Sequence, residues 1–498
     1  MKVLFLNPPF HPLFSRESRS PSVTKSSTLY WPMFLAYCAG FVEADDNEID
    51  LIDSPAMVLD LDQTIAKIAE FGPELIVMNT STPSILNDFK VAERIKNDLG
   101  TPVAIMGTHA TAEAVESLEM CSAVDFVISG EAELPTRALV RSLRGDHVDS
   151  IEDIPGMSLR TSSGIKKNPE GPKIEDINTI PWVSKVYVKF LKDCYRQYFY
   201  GANLNPLIVI LSGRGCPFRC TYCVIPQTIT GHTFRKRDPK DVVDEMEYIY
   251  QSFDEIGEIF FEDDTFTAEH KHVKSICEEI QKRPTKMTFS ANARADVQGV
   301  LLDEMKAAGC RELCVGFESA SKEVLKNVKK ALKSGNSERF MADAKKSGIL
   351  IHGCFMVGNP GDTPETLKQT LAFAKELSPN TAQFYPIMAY PGTKAYEQLK
   401  DDGRLTTTNY GEWLDNEGHH NTTVTTENLS SQDLVNFCDQ ARREFYLRPG
   451  YIITQGIMAL KNPKERYRVF RGFGTLVKHL FRKHGDTDGN LEKSEVVK

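Results

Sequence analysis

The segment LIVILSGRGCPFRCTYC (207–223) joins a predicted buried strand to a loop that carries three cysteines. Cys216, Cys220 and Cys223 have the spacing C-x3-C-x2-C. A structural zinc site needs four protein ligands, commonly cysteine pairs apart in sequence, and the chain has no second C-x2-C pair. Three thiolates on one loop instead predict a [4Fe-4S] cluster that leaves one iron open to bind another molecule, as in a catalytic cluster.

This strand is the first of six apolar runs that alternate with helical patterns. The other runs are EIFFED (258–263), KMTFSA (286–291), ELCVGF (312–317), IHGCFMV (351–357) and QFYPIM (383–388). Parallel strands that alternate with helices close into barrels, whose chemistry lies at the carboxyl ends of the strands. The sequence therefore predicts a partial (β/α)6 TIM-like barrel over residues 206–430, with the cysteine loop at its mouth.

A second alternating block precedes the barrel. Its apolar runs are VLFLN (3–7), EIDLID (48–53), ELIVMNT (74–80), PVAIMGT (102–108) and DFVISG (125–130). Strands separated by helices predict a doubly wound, Rossmann-like parallel sheet over residues 1–145, with ligands bound at the carboxyl ends of its strands. A dinucleotide is disfavoured because no G-x-G-x-x-G follows the first strand. The predicted fold class is α/β, followed by a helical C-terminal region.

Three further segments complete the predicted organisation. Residues 146–205 contain a hairpin pattern at 156–169 and an aromatic stretch, and we expect a linker and a substrate-side segment there. Residues 431–484 are helical and basic, with eleven Lys or Arg against two Glu within 442–483. Apolar side chains among these charges favour an anionic membrane surface or an amphiphilic substrate, and a solvated amphipathic helix is the alternative. The polar residues 485–498 are expected to be disordered.

The composition is that of an ordinary globular protein. The 498 residues are 41% hydrophobic and 26% charged, with a net charge of -9, which excludes disordered and fibrous classes. No apolar run has the roughly 18 to 20 residues of a spanning helix, and the first residues do not resemble a signal peptide. Most of the eleven cysteines are scattered, which is typical of reduced thiols. We therefore expect a cytoplasmic protein with no nucleic-acid partner, peripheral at most to the inner face of the membrane.

The motif C-x3-C-x-aromatic-C after the first barrel strand resembles that of the radical S-adenosylmethionine (SAM) superfamily. The resemblance implies that SAM chelates the open iron, and that an electron from the cluster cleaves SAM to a 5′-deoxyadenosyl radical that abstracts a hydrogen atom. It implies Cys216, Cys220 and Cys223 as cluster ligands. The implied SAM contacts lie at strand ends similar to those of the family and are Tyr222, Glu262, Asp263, Asp264, Ser290, Asn292, Arg294, Glu318, Gly358 and Pro360.

The first block resembles the cobalamin-binding domain that precedes the barrel in one large subfamily. The loops GTHAT (107–111) and SGEAEL (129–134) carry the similarity. The D-x-H-x-x-G motif, whose histidine coordinates cobalt in other cobalamin domains, is absent, so no cobalt ligand is assigned. The implied cobalamin contacts are Asn7, Thr80, Ser81, Thr82, Gly107, His109, Gly130 and Glu131.

Almost the whole chain is similar to the hopanoid-biosynthesis branch of these enzymes, for example at GRGCPFRCTYCVIPQTITGHTFRKR (213–237) and EFYLRP (444–449). The similarity implies an apolar substrate, a lipid or isoprenoid such as a hopanoid, and an electron donor such as flavodoxin or ferredoxin. Whether a methyl group is transferred stays open. The alternatives are a methyltransferase or cyclase for a peptide, tetrapyrrole or other natural product, and, in another class, a non-catalytic iron-sulfur sensor or scaffold.

Cysteines outside the loop receive structural assignments. A tRNA methylthiotransferase would need three additional N-terminal cysteines, and only Cys38 and Cys121 precede residue 194. Cys310 and Cys314 lie four residues apart at the fourth barrel strand, and Cys354 is isolated. Buried cysteines mostly act as small apolar side chains, so we expect that role for all three.

Overall fold

Two sheets covered by helices, one of them mainly and the other entirely parallel, form the framework of the chain, so the predicted α/β fold class is confirmed. The predicted disordered tail and most of the basic segment beyond residue 463 lie outside the described residues. This computed structural model describes residues 1–146, 150–333, 335–463, 465–466, 468–470 and 474.

A seven-stranded sheet forms the core of the first domain. Its strands are β1 (Lys2–Asn7), β2 (Glu48–Asp53), β3 (Leu75–Thr80), β4 (Val103–Gly107), β5 (Phe126–Ile128), β6 (Met157–Thr161) and β7 (Gly164–Lys167). The accompanying helices are α1 (Met33–Glu43), α2 (Ser54–Met57), α3 (Leu61–Phe71), α4 (Ile85–Leu99), α5 (Thr108–Ala112), α6 (Ala114–Met120) and α7 (Glu133–Arg144). The strand order is β2-β1-β3-β4-β5-β6-β7, and the first five strands run parallel. Helices cover both faces, which is why β3 (LIVMNT) is buried along its whole length.

The hairpin of β6 and β7 belongs to this sheet. β6 pairs antiparallel with β5, with Phe126 opposite Leu159. The sheet therefore extends past the predicted boundary at residue 145, and the hairpin is not part of a linker. Edge strands leave unpaired backbone groups, and the hairpin satisfies those of β5.

The aromatic stretch that follows the hairpin forms a seam between the domains. It includes α8 (Val183–Val186) and continues through irregular helical turns. The Trp31 ring stacks on Tyr198 with a centroid distance of 3.8 Å and lies 4.2 Å from the Tyr187 ring. The Trp31 indole N–H donates to the Leu207 carbonyl at 3.0 Å, so the seam is anchored on the barrel. These rings are buried, and they form core where the sequence suggested a substrate-side surface.

A six-stranded parallel sheet forms the second domain. Its strands are β8 (Leu207–Ile210), β11 (Glu258–Phe261), β12 (Phe289–Ala293), β13 (Cys310–Glu318), β14 (Leu350–Val357) and β15 (Thr381–Pro386), and β9 (Gly213–Arg214) with β10 (Arg235–Lys236) forms a separate ribbon. The helices are α9 (Pro239–Ser252), α10 (His270–Gln281), α11 (Gly299–Ala307), α12 (Lys322–Asn327), α13 (Asn336–Ser347), α14 (Pro364–Leu377) and α15 (Lys394–Asp401). The strand order is β15-β14-β13-β12-β11-β8, so β8 and β15 form the edges of a partial barrel, as predicted.

Two ion pairs fasten α7 and the loop before it to the ribbon. Arg214 lies 2.6 Å from Glu133, and both side chains are almost fully buried. Arg235 pairs with Glu131 in the same seam. Removing one partner from a buried pair costs about 3–5 kcal/mol because it leaves an uncompensated charge. The ribbon, and with it the cysteine loop, is therefore held against the first domain.

The C-terminal region begins with α16 (Ser431–Tyr446) and α17 (Pro449–Lys461). Tyr446 donates its hydroxyl proton to the Ala382 carbonyl at 2.7 Å, and Tyr451 donates to the Asn380 carbonyl at 2.8 Å, so both helices are fixed to the β15 side of the barrel. No helix among the described residues is long and apolar enough to cross a membrane.

Candidate active site

The cysteine loop is shaped by the ribbon that follows the first barrel strand. Arg214 and Arg235 are paired across β9 and β10, and the Cys216 N–H donates to the Gly231 carbonyl at 3.1 Å. Gly215 has φ +90°, and a Cβ there would lie 2.2 Å from the Thr233 carbonyl oxygen. Only glycine fits this turn, which directs the cysteines toward the barrel mouth.

The three loop thiols fit a cluster better than a single ion. Cys216, Cys220 and Cys223 are unpaired, and within the described part of the chain their sulfurs do not all lie within 4.8 Å of one another. Burial raises the pKa of the Cys223 thiol to about 12, so its thiolate needs a compensating positive charge. Iron supplies such a charge, and the wide spacing suits a group that contains several irons.

Arg19 is the main site residue that the sequence did not reveal. It lies between β1 and α1 of the first domain, yet its guanidinium lies 3.8 Å from the Cys223 sulfur. It also donates to the Asp263 carbonyl at 3.1 Å and pairs with Asp264 at 3.8 Å. Arg19 is one of two arginines in the polar loop RESRSPS (16–22), and it carries no motif or periodic signal.

The three acidic residues after β11 have different partners. Asp263 is occupied, because the Ser212 N–H and hydroxyl donate to it at 2.9 and 2.7 Å, and burial raises its pKa to about 7. Asp264 accepts from the Thr230 hydroxyl at 2.6 Å. Glu262 accepts from the Asn292 amide at 3.4 Å, while its other oxygen is buried with no hydrogen-bond partner. That unsatisfied acceptor beside the cysteine loop fits the ammonium group of an amino acid.

Glu318, at the end of β13, is the centre of a polar network. Tyr222 donates to one carboxylate oxygen at 2.9 Å, and Lys330 lies 3.0 Å from the same oxygen. Tyr385 donates to the other oxygen at 3.4 Å. The sequence predicted Glu318 and Tyr222 but not Lys330 or Tyr385. This network joins the cysteine loop to the barrel lumen and provides a paired carboxylate for hydroxyl groups of a ligand.

The other predicted SAM contacts are engaged within the protein. Ser290 donates to Glu258 at 2.9 Å, at the opposite end of the lumen from the loop. The Arg294 guanidinium lies 3.7 Å from the centre of the Phe218 ring and 3.1 Å from Asp296. Gly358 has φ +82° and packs against Leu434, while the Pro360 carbonyl accepts from Asn327 at 2.9 Å. These residues shape the site through the backbone and their neighbours.

The carboxyl ends of the strands of the first sheet, where the cobalamin contacts are predicted, form an edge that we call the cobalamin edge. It contains neutral groups with spare hydrogen-bonding capacity. His109 Nδ1 lies 3.2 Å from the Thr82 hydroxyl, whereas Nε2 is buried with no partner. Burial lowers the pKa of His109 to about 3, so the ring is neutral. The Tyr410 ring meets it edge-on at 4.9 Å, and the buried Trp413 indole N–H nearby also has no partner. Unpaired neutral groups fit a large ligand rich in amides, as cobalamin is.

The remaining predicted cobalamin contacts line the same edge but bond mainly to the protein. A Cβ at Gly107, where φ is +119°, would lie 2.2 Å from the Thr80 carbonyl oxygen, so only glycine permits the close approach of this loop to the end of β3. The side-chain or backbone partners are Asp53 for Asn7, the Met106 carbonyl for Thr80, Ser84 for Ser81, Thr111 for Gly130 and Arg235 for Glu131. These five are therefore framework residues in this structure.

Known protein families match both halves of the chain. Residues 210–374 match the Radical SAM superfamily, and residues 21–140 match the B12 binding domain. The chain combines a radical SAM domain with a B12-binding domain. It is an enzyme whose cofactors are a [4Fe-4S] cluster, SAM and cobalamin, as predicted.

Relatives and solved structures agree with this assignment. An uncharacterized methyltransferase of Pyrococcus horikoshii is 28% identical over 455 residues, which cover 91% of this chain and 94% of that protein. The anaerobic magnesium-protoporphyrin IX monomethyl ester cyclase of Rubrivivax gelatinosus is 27% identical over 421 residues, which cover 80% and 70%. The radical SAM methyltransferase TsrM from Kitasatospora setae, solved with cobalamin and a [4Fe-4S] cluster, shares the fold with a TM-score of 0.70 at 17% identity, over 96% of this chain and 99% of that chain.

Proposed function

We propose that this radical SAM enzyme modifies an unactivated carbon of an apolar, lipid-like substrate such as a hopanoid or another isoprenoid. The observation that carries the proposal is the position of Arg19, which extends from the first domain to Cys223 and Asp264 at the barrel mouth. Nearby, a Cβ at Gly392 would lie 3.0 Å from Ala112 Cβ of the first domain. The first domain therefore contacts the barrel mouth beside the cysteine loop, which supports a substrate that meets both cofactors.

The protein's part in this chemistry is binding, orientation and exclusion of water. When bound, the cluster and SAM supply the means to remove a hydrogen atom from carbon, and cobalamin supplies a carrier for group transfer. Glu262 would hold the ammonium group of SAM through its free oxygen, and Glu318 would accept hydrogen bonds from ribose hydroxyls. Arg19 balances the negative charge of the thiolates and of Asp264. The buried Trp31 and Tyr198 rings keep water out of the seam between the domains.

The surface of α17 supports the lipid class. Its exposed apolar side chains are Ile452, Ile453, Ile457 and Leu460. Basic residues flank them, and an apolar helix face beside basic charge binds anionic lipid surfaces. We propose that the C-terminal region contacts the inner face of the membrane and takes the substrate from there, with flavodoxin or ferredoxin as the electron donor in the cytoplasm.

A tetrapyrrole is the second candidate substrate. The similarity to the magnesium-protoporphyrin IX monomethyl ester cyclase over 80% of this chain favours it. A tetrapyrrole is also large and apolar, so it would occupy the same space between the cofactors. Ring closure on such a substrate would need no methyl transfer.

Product analysis separates these candidates. The anaerobically reconstituted enzyme is incubated with SAM, cobalamin and a reductant in three parallel reactions. One contains a total lipid extract, one contains magnesium-protoporphyrin IX monomethyl ester, and one contains neither. Formation of 5′-deoxyadenosine and S-adenosylhomocysteine is measured against a Cys220→Ala control. Extract-dependent formation of both products supports radical methylation of a lipid, and 5′-deoxyadenosine alone supports modification without methyl transfer. Stimulation by the tetrapyrrole alone, or by neither addition, overturns the lipid proposal.

A further inference from the structure

A second group of potential metal ligands lies inside the barrel, away from the cysteine loop. Cys314 is on β13, and His352 and Cys354 are on the neighbouring strand β14. Each offers one ligand atom, and the three atoms all lie within 4.8 Å of one another. The sequence suggested structural roles for both cysteines as small apolar side chains, but the strand register brings them together. Cys314 is opposite His352, and Gly316 is opposite Cys354.

We propose that Cys314, His352 and Cys354 bind one thiophilic divalent metal ion of the zinc class. The two sulfurs are 3.8 Å apart. Zinc–sulfur bonds of about 2.3 Å in tetrahedral geometry place two sulfurs about 3.8 Å apart, so the thiols already stand at the separation that such an ion imposes. A disulfide needs an S–S distance of about 2.0 Å, and both cysteines are free.

His352 is prepared to act as a neutral nitrogen ligand. Its Nδ1 lies 2.7 Å from the Thr381 hydroxyl on β15. Metal-binding histidines commonly make such a hydrogen bond through one ring nitrogen, which fixes the orientation of the ring.

The charge of the site balances when the metal binds. Two thiolates and one neutral imidazole neutralise a divalent cation, and binding releases the two thiol protons to solvent. The three side chains are half-buried, so solvent and ions reach them. No oxidation or reduction of the protein is required.

Three protein ligands leave one position of a tetrahedral ion open. Structural zinc sites use four protein ligands, whereas sites that bind substrate or water use three. Gln383 on β15 is opposite Cys354, and Tyr385 lies two positions further along the same face of that strand, where its hydroxyl donates to Glu318 at 3.4 Å. The open position therefore faces the lumen close to the Glu318 network. A heteroatom of a molecule in the lumen, or water, would complete the coordination.

Metal content tests the proposal without reference to the substrate of the enzyme. The anaerobically reconstituted holoenzyme is mixed with two equivalents of zinc, desalted, and analysed for zinc and iron by mass spectrometry. The wild type and a Cys310→Ser control, which changes a buried thiol on the same strand, are expected to keep about one zinc ion per chain. The Cys314→Ser/Cys354→Ser variant is expected to lose at least nine-tenths of the zinc and to keep the cluster iron.

Two further measurements keep the result interpretable. Zinc K-edge X-ray absorption of the wild type is expected to show two sulfur neighbours and one histidine nitrogen, which holds even if the double variant folds poorly. A Cys216→Ala/Cys220→Ala/Cys223→Ala variant is expected to keep its zinc. The proposal is overturned if the wild type binds no zinc, if the two serine substitutions leave its zinc unchanged, or if zinc is lost with the loop cysteines.

Discussion

The barrel mouth and the cobalamin edge differ in charge. At the barrel mouth, acidic and basic side chains contact one another, namely Arg19, Glu262, Asp264, Glu318 and Lys330. At the cobalamin edge the buried groups are neutral, namely Thr82, His109, Tyr410 and Trp413. Buried charges are costly unless a partner compensates them. The difference fits the proposed division, with the small charged ligand SAM at the barrel mouth and the large, amide-rich cobalamin at the neutral edge.

The largest expected effect comes from the loop thiols. Cys216→Ala, Cys220→Ala or Cys223→Ala should reduce formation of 5′-deoxyadenosine from SAM to background, because three thiolates are the minimum set for the cluster. Cobalamin binding, measured by absorbance after desalting, should persist in each variant. If these variants also lost cobalamin, the two sides would not be independent. If all three retained SAM cleavage, the cluster would be held elsewhere.

The next largest effect concerns the buried ion pair that joins the first domain to the ribbon of the second. Glu133→Ala leaves Arg214 buried without its partner at 2.6 Å, so the free energy of unfolding should fall by about 3–5 kcal/mol. Urea denaturation followed by circular dichroism measures this change. Asp153→Ala, which breaks the exposed pair with Lys166, is the control and should cost less than about 1 kcal/mol. Equal effects would mean that the buried pair does not fasten the ribbon.

A change in the Glu318 network should weaken the binding of SAM but not the binding of cobalamin. Glu318→Gln removes the charge that Tyr222, Lys330 and Tyr385 surround, and loss of a charge-assisted hydrogen bond costs about 1.5–3 kcal/mol. The dissociation constant for SAM, measured by equilibrium dialysis, should therefore rise about 10- to 100-fold. Cobalamin affinity should not change, and Glu365→Gln at the exposed start of α14 should alter neither. A matching loss of cobalamin affinity would contradict a charge-based division.

The smallest expected effect is a pH dependence at the neutral edge. The pKa of His109 is lowered from 6.5 to about 3 by burial, so the unfolded chain takes up a proton between these values and the folded chain does not. Its contribution to stability is therefore present above about pH 6.5 and decreases as the pH falls toward 3. Relative to His109→Gln, the wild type should lose up to about 1.4 kcal/mol of unfolding free energy per pH unit. Urea unfolding of both proteins at pH 7.5, 5.5 and 4.5 measures this. If their unfolding free energies changed equally with pH, His109 would take up its proton in the folded protein as it does in the unfolded chain.

Features that are local in sequence could be predicted, because their physical cause is local. The three loop cysteines fall within eight consecutive positions. The alternation of apolar runs with helical patterns was enough to predict both sheets. Glu262, Asn292 and Glu318 could be placed at one edge because parallel strands end on the same side. The structure brings all three near the loop, as their positions at strand ends required.

Features that depend on distant pairing could not be predicted. Arg19 lies about two hundred positions from Cys223, and the two thiols inside the lumen are forty positions apart. Glu131 was expected to contact cobalamin, but it pairs with Arg235, a partner that only the docking of the domains supplies. The hairpin at 156–169 was recognised locally, whereas its addition to the first sheet depends on the free edge of β5.

The passage of the segment before α1 into the barrel mouth limits how this protein can be divided. Trp31 and Arg19 come from one half of the gene product and complete the other half. A chain cut between residues 167 and 206 would expose the aromatic seam to water on one fragment and leave the cysteine loop of the other without its arginine. The two domains therefore depend on each other. Exchanging either domain with that of a relative would require exchanging the matching seam residues as well.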